Sequence, residues 1–196
     1  MKINYNNELK KLISTLDYKP KLLLHSCCGP CSTHVISVLE NHFDITVIYY
    51  NPNIEPEEEY LKRKNEQIKF LNEKNIPLLD IDYNHDEFVK LSCGLENEPE
   101  GKKRCALCMH HRLKVTKEKA LENHFEYFGT TLTVSPHKNS ELINNLGRAL
   151  QDDKIKYLFS DFKKENGYLD SIKLAKEYNL YRQDYCGCLY AKFIDN

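Results

Sequence analysis

The stretch Lys-Leu-Leu-Leu-His-Ser-Cys-Cys-Gly-Pro-Cys-Ser, residues 21–32, runs from an apolar segment straight into three cysteines within five positions. Three consecutive leucines read as a buried strand, Lys21–His25. The apolar spacing of Val35, Ile36, Val38 and Leu39 predicts a helix after the cysteines. A strand that empties its end into a cysteine-rich turn and then a helix is the first unit of an α/β fold.

The same alternation continues along the chain. Asp44–Tyr50 reads as a second strand, and a charged helix from about Pro56 to Lys74 keeps Leu61, Ile68 and Leu71 on one stripe. Ile76–Asp82 reads as a third strand. A polar loop with Gly94, Pro99 and Gly101 then leads into a long helix starting near Cys105. Tyr127–Val134 is a fourth strand rich in β-formers. Ser140 is placed to cap a helix whose face is Leu142, Ile143, Leu146, Ala149 and Leu150. A weak strand near Tyr157–Phe159 and a short helix around Tyr168–Tyr178 complete the pattern. Strands alternating with helices predict a doubly wound, mostly parallel α/β sheet. In such sheets ligands bind beyond the carboxyl ends of the strands, so a metal site is expected at that edge. Two segments fall there: Ser26–Ser32 and Ser135–Asn139. The chain is expected to form a single α/β domain over 1–196, with an N-terminal helical extension at 1–19. A cysteine-containing tail at 179–196 is expected to complete the site.

A net charge of −1 offers no global attraction to nucleic acid, so any such binding needs a local patch. The start of the chain lacks a signal-peptide core and no apolar run reaches membrane-spanning length. A cytoplasmic protein without membrane association is therefore expected. In a reducing compartment clustered cysteines bind metal or do redox chemistry more often than they form structural disulfides. Of the eight, only Cys93 stands alone, and it reads as an ordinary small apolar thiol.

The other seven fall into three groups. Cys27 and Cys28 are adjacent, which disfavours an internal disulfide and points both sulfurs toward a metal. Cys105-Ala-Leu-Cys108 is a C-x-x-C at a helix start, where the positive end of the helix favours thiolate charge. These four match the ligand count of a structural zinc as well as that of a [4Fe–4S] cluster. Cys28-Gly-Pro-Cys31 also reads as a thioredoxin-like exchange loop, and this alternative stays open. Cys186-Gly187-Cys188 can close a strained, labile disulfide or supply further metal thiolates. Around the C-x-x-C lie Lys102, Lys103, Arg104, Arg112, Lys114, Lys117 and Lys119, against a single Glu118. Lys102, Lys103, Arg104 and Arg112 are thereby candidates for RNA phosphate contacts.

In order and spacing, Leu23–Ser32, Tyr50-Asn-Pro-Asn-Ile54, Arg104-Cys-Ala-Leu-Cys108, Thr131–Lys138 and Tyr185-Cys-Gly-Cys188 resemble the cobalamin-independent epoxyqueuosine reductases, the QueH family. The resemblance runs from about residue 22 to residue 190. It implies reduction of the epoxide of epoxyqueuosine in tRNA, the last step of queuosine synthesis, with electrons from a donor that the sequence does not identify. It implies a [4Fe–4S] cluster on Cys27, Cys28, Cys105 and Cys108. Cys186 and Cys188 match a redox disulfide or the ligands of a second iron or other metal ion, with Cys31 as a further member of that group. The sheet also resembles the nucleotide-hydrolase-like Rossmann topology of ATP-pyrophosphatases. Those place a Gly-rich phosphate loop where this chain has Cys-Cys-Gly-Pro-Cys. Removal of an epoxide oxygen needs two electrons and a proton donor, for which His137, Lys138, Asp184 and Tyr185 are candidates. A thioredoxin-like dithiol oxidoreductase and a zinc-stabilised RNA-binding module are the competing readings.

Overall fold

The computed structural model describes residues 3–193. Met1 and Lys2 of the expected extension, and residues 194–196 of the expected tail, lie outside the described residues. Five strands, β1 (Lys21–His25), β2 (Asp44–Ile48), β3 (Leu78–Leu79), β4 (Tyr127–Thr130) and β5 (Lys156–Tyr157), form one sheet in the order β3-β2-β1-β4-β5. Every pairing is parallel, with Leu23 opposite Thr46 on one side and Phe128 on the other. This is the doubly wound α/β sheet expected from the alternation.

Strand geometry sends successive side chains to opposite faces, and β1 shows why its three leucines all have to be apolar. Leu22 and Leu24 pack with Val35, Ile36 and Leu39 of α2 (Gly29–Leu39), Phe70 and Leu71 of α3 (Glu57–Lys74), and Ala175 of α7 (Gly167–Glu177). Leu9, from the N-terminal helix α1 (Tyr5–Ser14), joins that core. Leu23 points the other way, into a core built with Met109 and Leu113 of α5 (Lys103–Glu122) and Ile143 of α6 (Ser140–Leu150). Strand order reverses between β1 and β4, so the chain leaves these two neighbours in opposite directions and opens a crevice at their carboxyl ends.

Several local expectations are corrected. The fourth strand stops at Thr130, and Thr131–Val134 form a 3-10 turn. Thr130 Oγ1 accepts from the backbone N–H of Leu132 at 3.1 Å and meets the buried ring of His25 at 3.0 Å, which folds the chain over the end of β1. The alternating Thr-Leu-Thr-Val pattern mimics a strand because all four side chains are buried. The third strand is a two-residue edge, and the fifth lies at 156–157. Asn139, not Ser140, caps α6, its side chain accepting from Leu142 N–H. A helix with no sequence expectation, α4 (His85–Ser92), is held by two buried residues, Phe88 and Ser92, too few to register as periodicity.

The buried face of α3 is also different from the expected stripe. Leu61 is exposed, while Tyr60, Arg63, Gln67, Phe70 and Leu71 turn inward. Two polar side chains on an inward helical face matter here, because both reach the cysteine segments.

Candidate metal and redox site

The first group is built on the turn from β1 into α2. Ser26 N–H extends the ladder to Ile48 O, and its carbonyl accepts from Asn51 Nδ2 at 2.9 Å. Gln67 of α3 accepts from the hydroxyls of Ser26 (2.6 Å) and Ser32 (2.8 Å), pinning the turn from behind. Gly29 permits this approach: a Cβ there would sit 3.2 Å from the carbonyl oxygen of Glu66. Cys28 occupies the N-cap of α2 with no side-chain hydrogen bond to the helix, so the helix's positive end faces the thiols.

Among the described residues, the sulfurs of Cys27, Cys28 and Cys31 form a group in which all lie within 4.8 Å of one another. Cys27 and Cys28 Sγ are 3.8 Å apart, about the edge of a tetrahedron of thiolates bound to one ion at ~2.3 Å. The group favours one thiolate. Cys27 is held well below the usual thiol range by S–H donation from Cys28, then Cys31, with the Thr131 hydroxyl 3.7 Å away. Sharing that proton pushes Cys28 up to about 12, and Cys31 is raised for the same reason.

The second group lies on α5, where Cys105 and Cys108 share a helix face with Arg112. Cys105 Sγ accepts from the Gly101 N–H at 3.1 Å. Burial raises the Cys108 thiol, which packs with Phe88 of α4 and with Cys188.

The third group is docked by backbone. Ile54 and Cys188 form an antiparallel bridge, and Glu55 N–H donates to Gly187 O at 2.9 Å. Arg63 donates to Cys186 O at 3.1 Å and lies 4.9 Å from the Tyr185 ring, while its Nε is paired with Glu59 at 2.6 Å. Burial pushes the Cys188 thiol up to about 11. No disulfide joins any of the eight cysteines in this structure.

A cavity of about 480 Å³ at the carboxyl edge is lined by Cys27, Cys28, Cys31 and Cys186, and a second of about 200 Å³ by Cys105, Cys108, Cys186 and Cys188. Both share the walls Asn53, Glu100, Arg112, His137, Lys138 and Cys186. Only Cys93, exposed after α4, lies apart from the cysteine constellation. Soft sulfur donors grouped at Cys27, Cys28 and Cys31, with further thiols lining the adjoining cavity, fit a thiolate-bound cluster or ion.

The proton-donor candidates His137, Lys138, Asp184 and Tyr185 all line the larger cavity. His137 and Asp184 are exposed. Lys138 Nζ stands 4.0 Å from Cys186 Sγ, and electrostatic coupling to Cys186 raises its pKa despite opposing burial. The expected RNA-contacting residues differ in exposure. Lys102 and Lys103 are exposed, whereas Arg104 and Arg112 are buried. Arg104 donates to the carbonyls of Leu95, Glu96 and Glu98 at 2.6–2.9 Å, tying the loop before α5 to the helix start. Lys117 and Lys119 are engaged by Asp152 and Glu122.

Arg63, Gln67, Asn51 and Asn53 carried no sequence expectation of a role. Asn51 and Asn53 lie inside the quoted Tyr-Asn-Pro-Asn-Ile motif, which was the available signal. For Arg63 and Gln67 the signal was hidden, because charge on a helix normally marks the solvent face.

A family model described as "Epoxyqueuosine reductase QueH" matches residues 22–193. This chain belongs to the QueH family. Its QueH relative in Staphylococcus epidermidis is 44% identical, over 97% of this chain and 85% of the relative. The QueH of Thermotoga maritima is 33% identical, over 87% of this chain and 89% of the relative. Among solved structures, the U34-tRNA thiolase NcsA from Methanococcus maripaludis with its [4Fe–4S] cluster superposes with a TM-score of 0.61 at 15% identity. That likeness covers 95% of this chain and 66% of the thiolase, and establishes shared fold. No helix of the described residues is long and apolar enough to cross a membrane.

Proposed function

We propose that this protein reduces the epoxide of epoxyqueuosine in tRNA to the alkene of queuosine, using a [4Fe–4S] cluster held by Cys27, Cys28, Cys105 and Cys108. The observation that carries this reading is the convergence of the β1–α2 thiols, the α5 C-x-x-C and the tail pair on adjoining cavities of a QueH-family chain. The overall change consumes two electrons and two protons and releases the oxygen as water, with the electrons drawn from a donor not yet identified. When bound, the cluster supplies electrons one at a time. Cys186 and Cys188, with Cys31 nearby, supply the second redox element, as a dithiol or as ligands of a second metal ion.

The chain's own groups do the rest. Arg63 and the Ile54–Glu55 backbone present the tail sulfurs to the cavity. Lys138 faces Cys186 and is protonated at neutral pH, so it is placed to donate to the departing oxygen, with His137, Asp184 and Tyr185 as further donors around the same space. Lys102 and Lys103, exposed at the start of α5, contact tRNA phosphates outside the cavity.

Anaerobically reconstituted protein tests this directly. Cys105→Ser should lose iron and inorganic sulfide. The Cys186→Ser, Cys188→Ser double variant should keep both and bind epoxyqueuosine-tRNA, yet form no queuosine-tRNA with a chemical reductant. Normal turnover by that double variant would remove the tail from the mechanism, and full cluster content in Cys105→Ser would refute the ligand set. A colourless wild-type protein that holds zinc alone would favour the structural-zinc alternative.

A further inference from the structure

Arg112 is a guanidinium with 3% of its surface exposed and, among the described residues, no carboxylate within ion-pairing distance. It donates to a neutral partner, Asn51 Oδ1 at 3.0 Å, and its Nε is buried without a partner. Withdrawing such a charge from water costs several kcal/mol unless an anion compensates it. Glu100 shares the cavity walls but makes no ion pair with Arg112, which leaves sulfur as the nearest compensating charge. Cys105, Cys108 and Arg112 are spaced i, i+3 and i+7 along α5, so they occupy one face, and Arg112 lines both cavities with Cys186. Burial opposes its charge, yet electrostatic coupling to Cys108, Cys186, Cys27 and Cys105 outweighs that and raises its pKa. Asn51 adds a mechanical link, since it accepts from Arg112 and donates to Ser26 O at the root of the vicinal pair.

We propose that Arg112 is a positioning residue, the fixed counter-cation of the thiolate-bound centre, and that it raises the reduction potential of that centre. This rests on the functional reading above. Each added electron makes a thiolate-ligated cluster more negative, and a fixed positive charge in a low-dielectric cavity stabilises the reduced form over the oxidised one. A guanidinium suits the role because it stays protonated when buried.

The test is a potentiometric titration, followed by electron paramagnetic resonance, of reconstituted wild-type protein and the variants Arg112→Gln and Arg112→Lys. Arg112→Gln should shift the reduction equilibrium at least tenfold toward the oxidised form, a fall of about 59 mV for one electron. Arg112→Lys should restore most of the wild-type potential, which a purely structural role would not do. Should Arg112→Gln fail to fold, Asn51→Asp reads the same quantity. A carboxylate at hydrogen-bonding distance would cancel the guanidinium's field, and the potential should fall likewise. A cluster whose potential is unmoved in every folded variant overturns the Arg112 assignment alone. An unmoved potential together with weakened tRNA binding also overturns it and makes Arg112 a substrate contact. Wild-type protein that assembles no iron–sulfur centre overturns both this assignment and the functional reading.

Discussion

Gly187, between the two tail cysteines, has φ +88°, a conformation an L side chain adopts only at a cost. A Cβ built there would lie 2.9 Å from Arg63 Nη1 and 3.1 Å from Ile54 Cγ1. The arginine cannot simply swing aside, because Glu59 holds its Nε and Cys186 O accepts from its Nη1. Gly187→Ala therefore combines two costs. The left-handed backbone contributes about 1–2 kcal/mol. Displacing the guanidinium forfeits a charge-assisted hydrogen bond worth about 1.5–3 kcal/mol. The sum is about 2.5–5 kcal/mol, concentrated on the docking of the Cys186–Cys188 segment against Ile54–Glu55. The assay is native-state alkylation of the tail thiols alongside urea unfolding. Ala should make both sulfurs react much faster, since the bridge between Ile54 and Cys188 opens. Gly187→Asn separates the two costs. Asn tolerates the left-handed region better, so it should recover about 1 kcal/mol while keeping the steric conflict. An Ala variant with wild-type alkylation rates and stability would refute the argument, as would an Asn variant worse than Ala.

The basic stretch at the start of α5 carries two more predictions. Arg104→Ala should destabilise the fold by about 1.5–3 kcal/mol, because three carbonyls of the loop before α5 lose a charged donor, while the salt dependence of tRNA binding stays unchanged. Calorimetry and a salt titration check the pair, and the opposite pattern would return Arg104 to the RNA face. Lys102→Ala with Lys103→Ala should leave stability within about 0.5 kcal/mol. The slope of log affinity against log salt should flatten by about 0.7–0.9 for each phosphate no longer neutralised. An unchanged slope would make both lysines solvated bystanders.

The alternation of strands and helices, α4 excepted, and the three cysteine groups were legible from residues alone. Leu22–Leu24 and the apolar spacing of α2 and α6 are local signals, and local propensity with hydrophobic periodicity acts over a few residues. Tertiary contacts decided where strands ended. Thr131–Val134 has a strand's pattern but curls because Thr130 finds partners in Leu132 N–H and His25, one of them 105 residues away in sequence. The same holds for charge. Lys102, Arg104 and Arg112 look alike in one dimension, yet only the lysine stays in water. Arg104 turns to carbonyls of the preceding loop, and Arg112 is buried between the two cavities that the cysteine groups line. A sequence can name ionisable groups and their spacing, but whether water or another buried group solvates each one is settled when distant segments pack together.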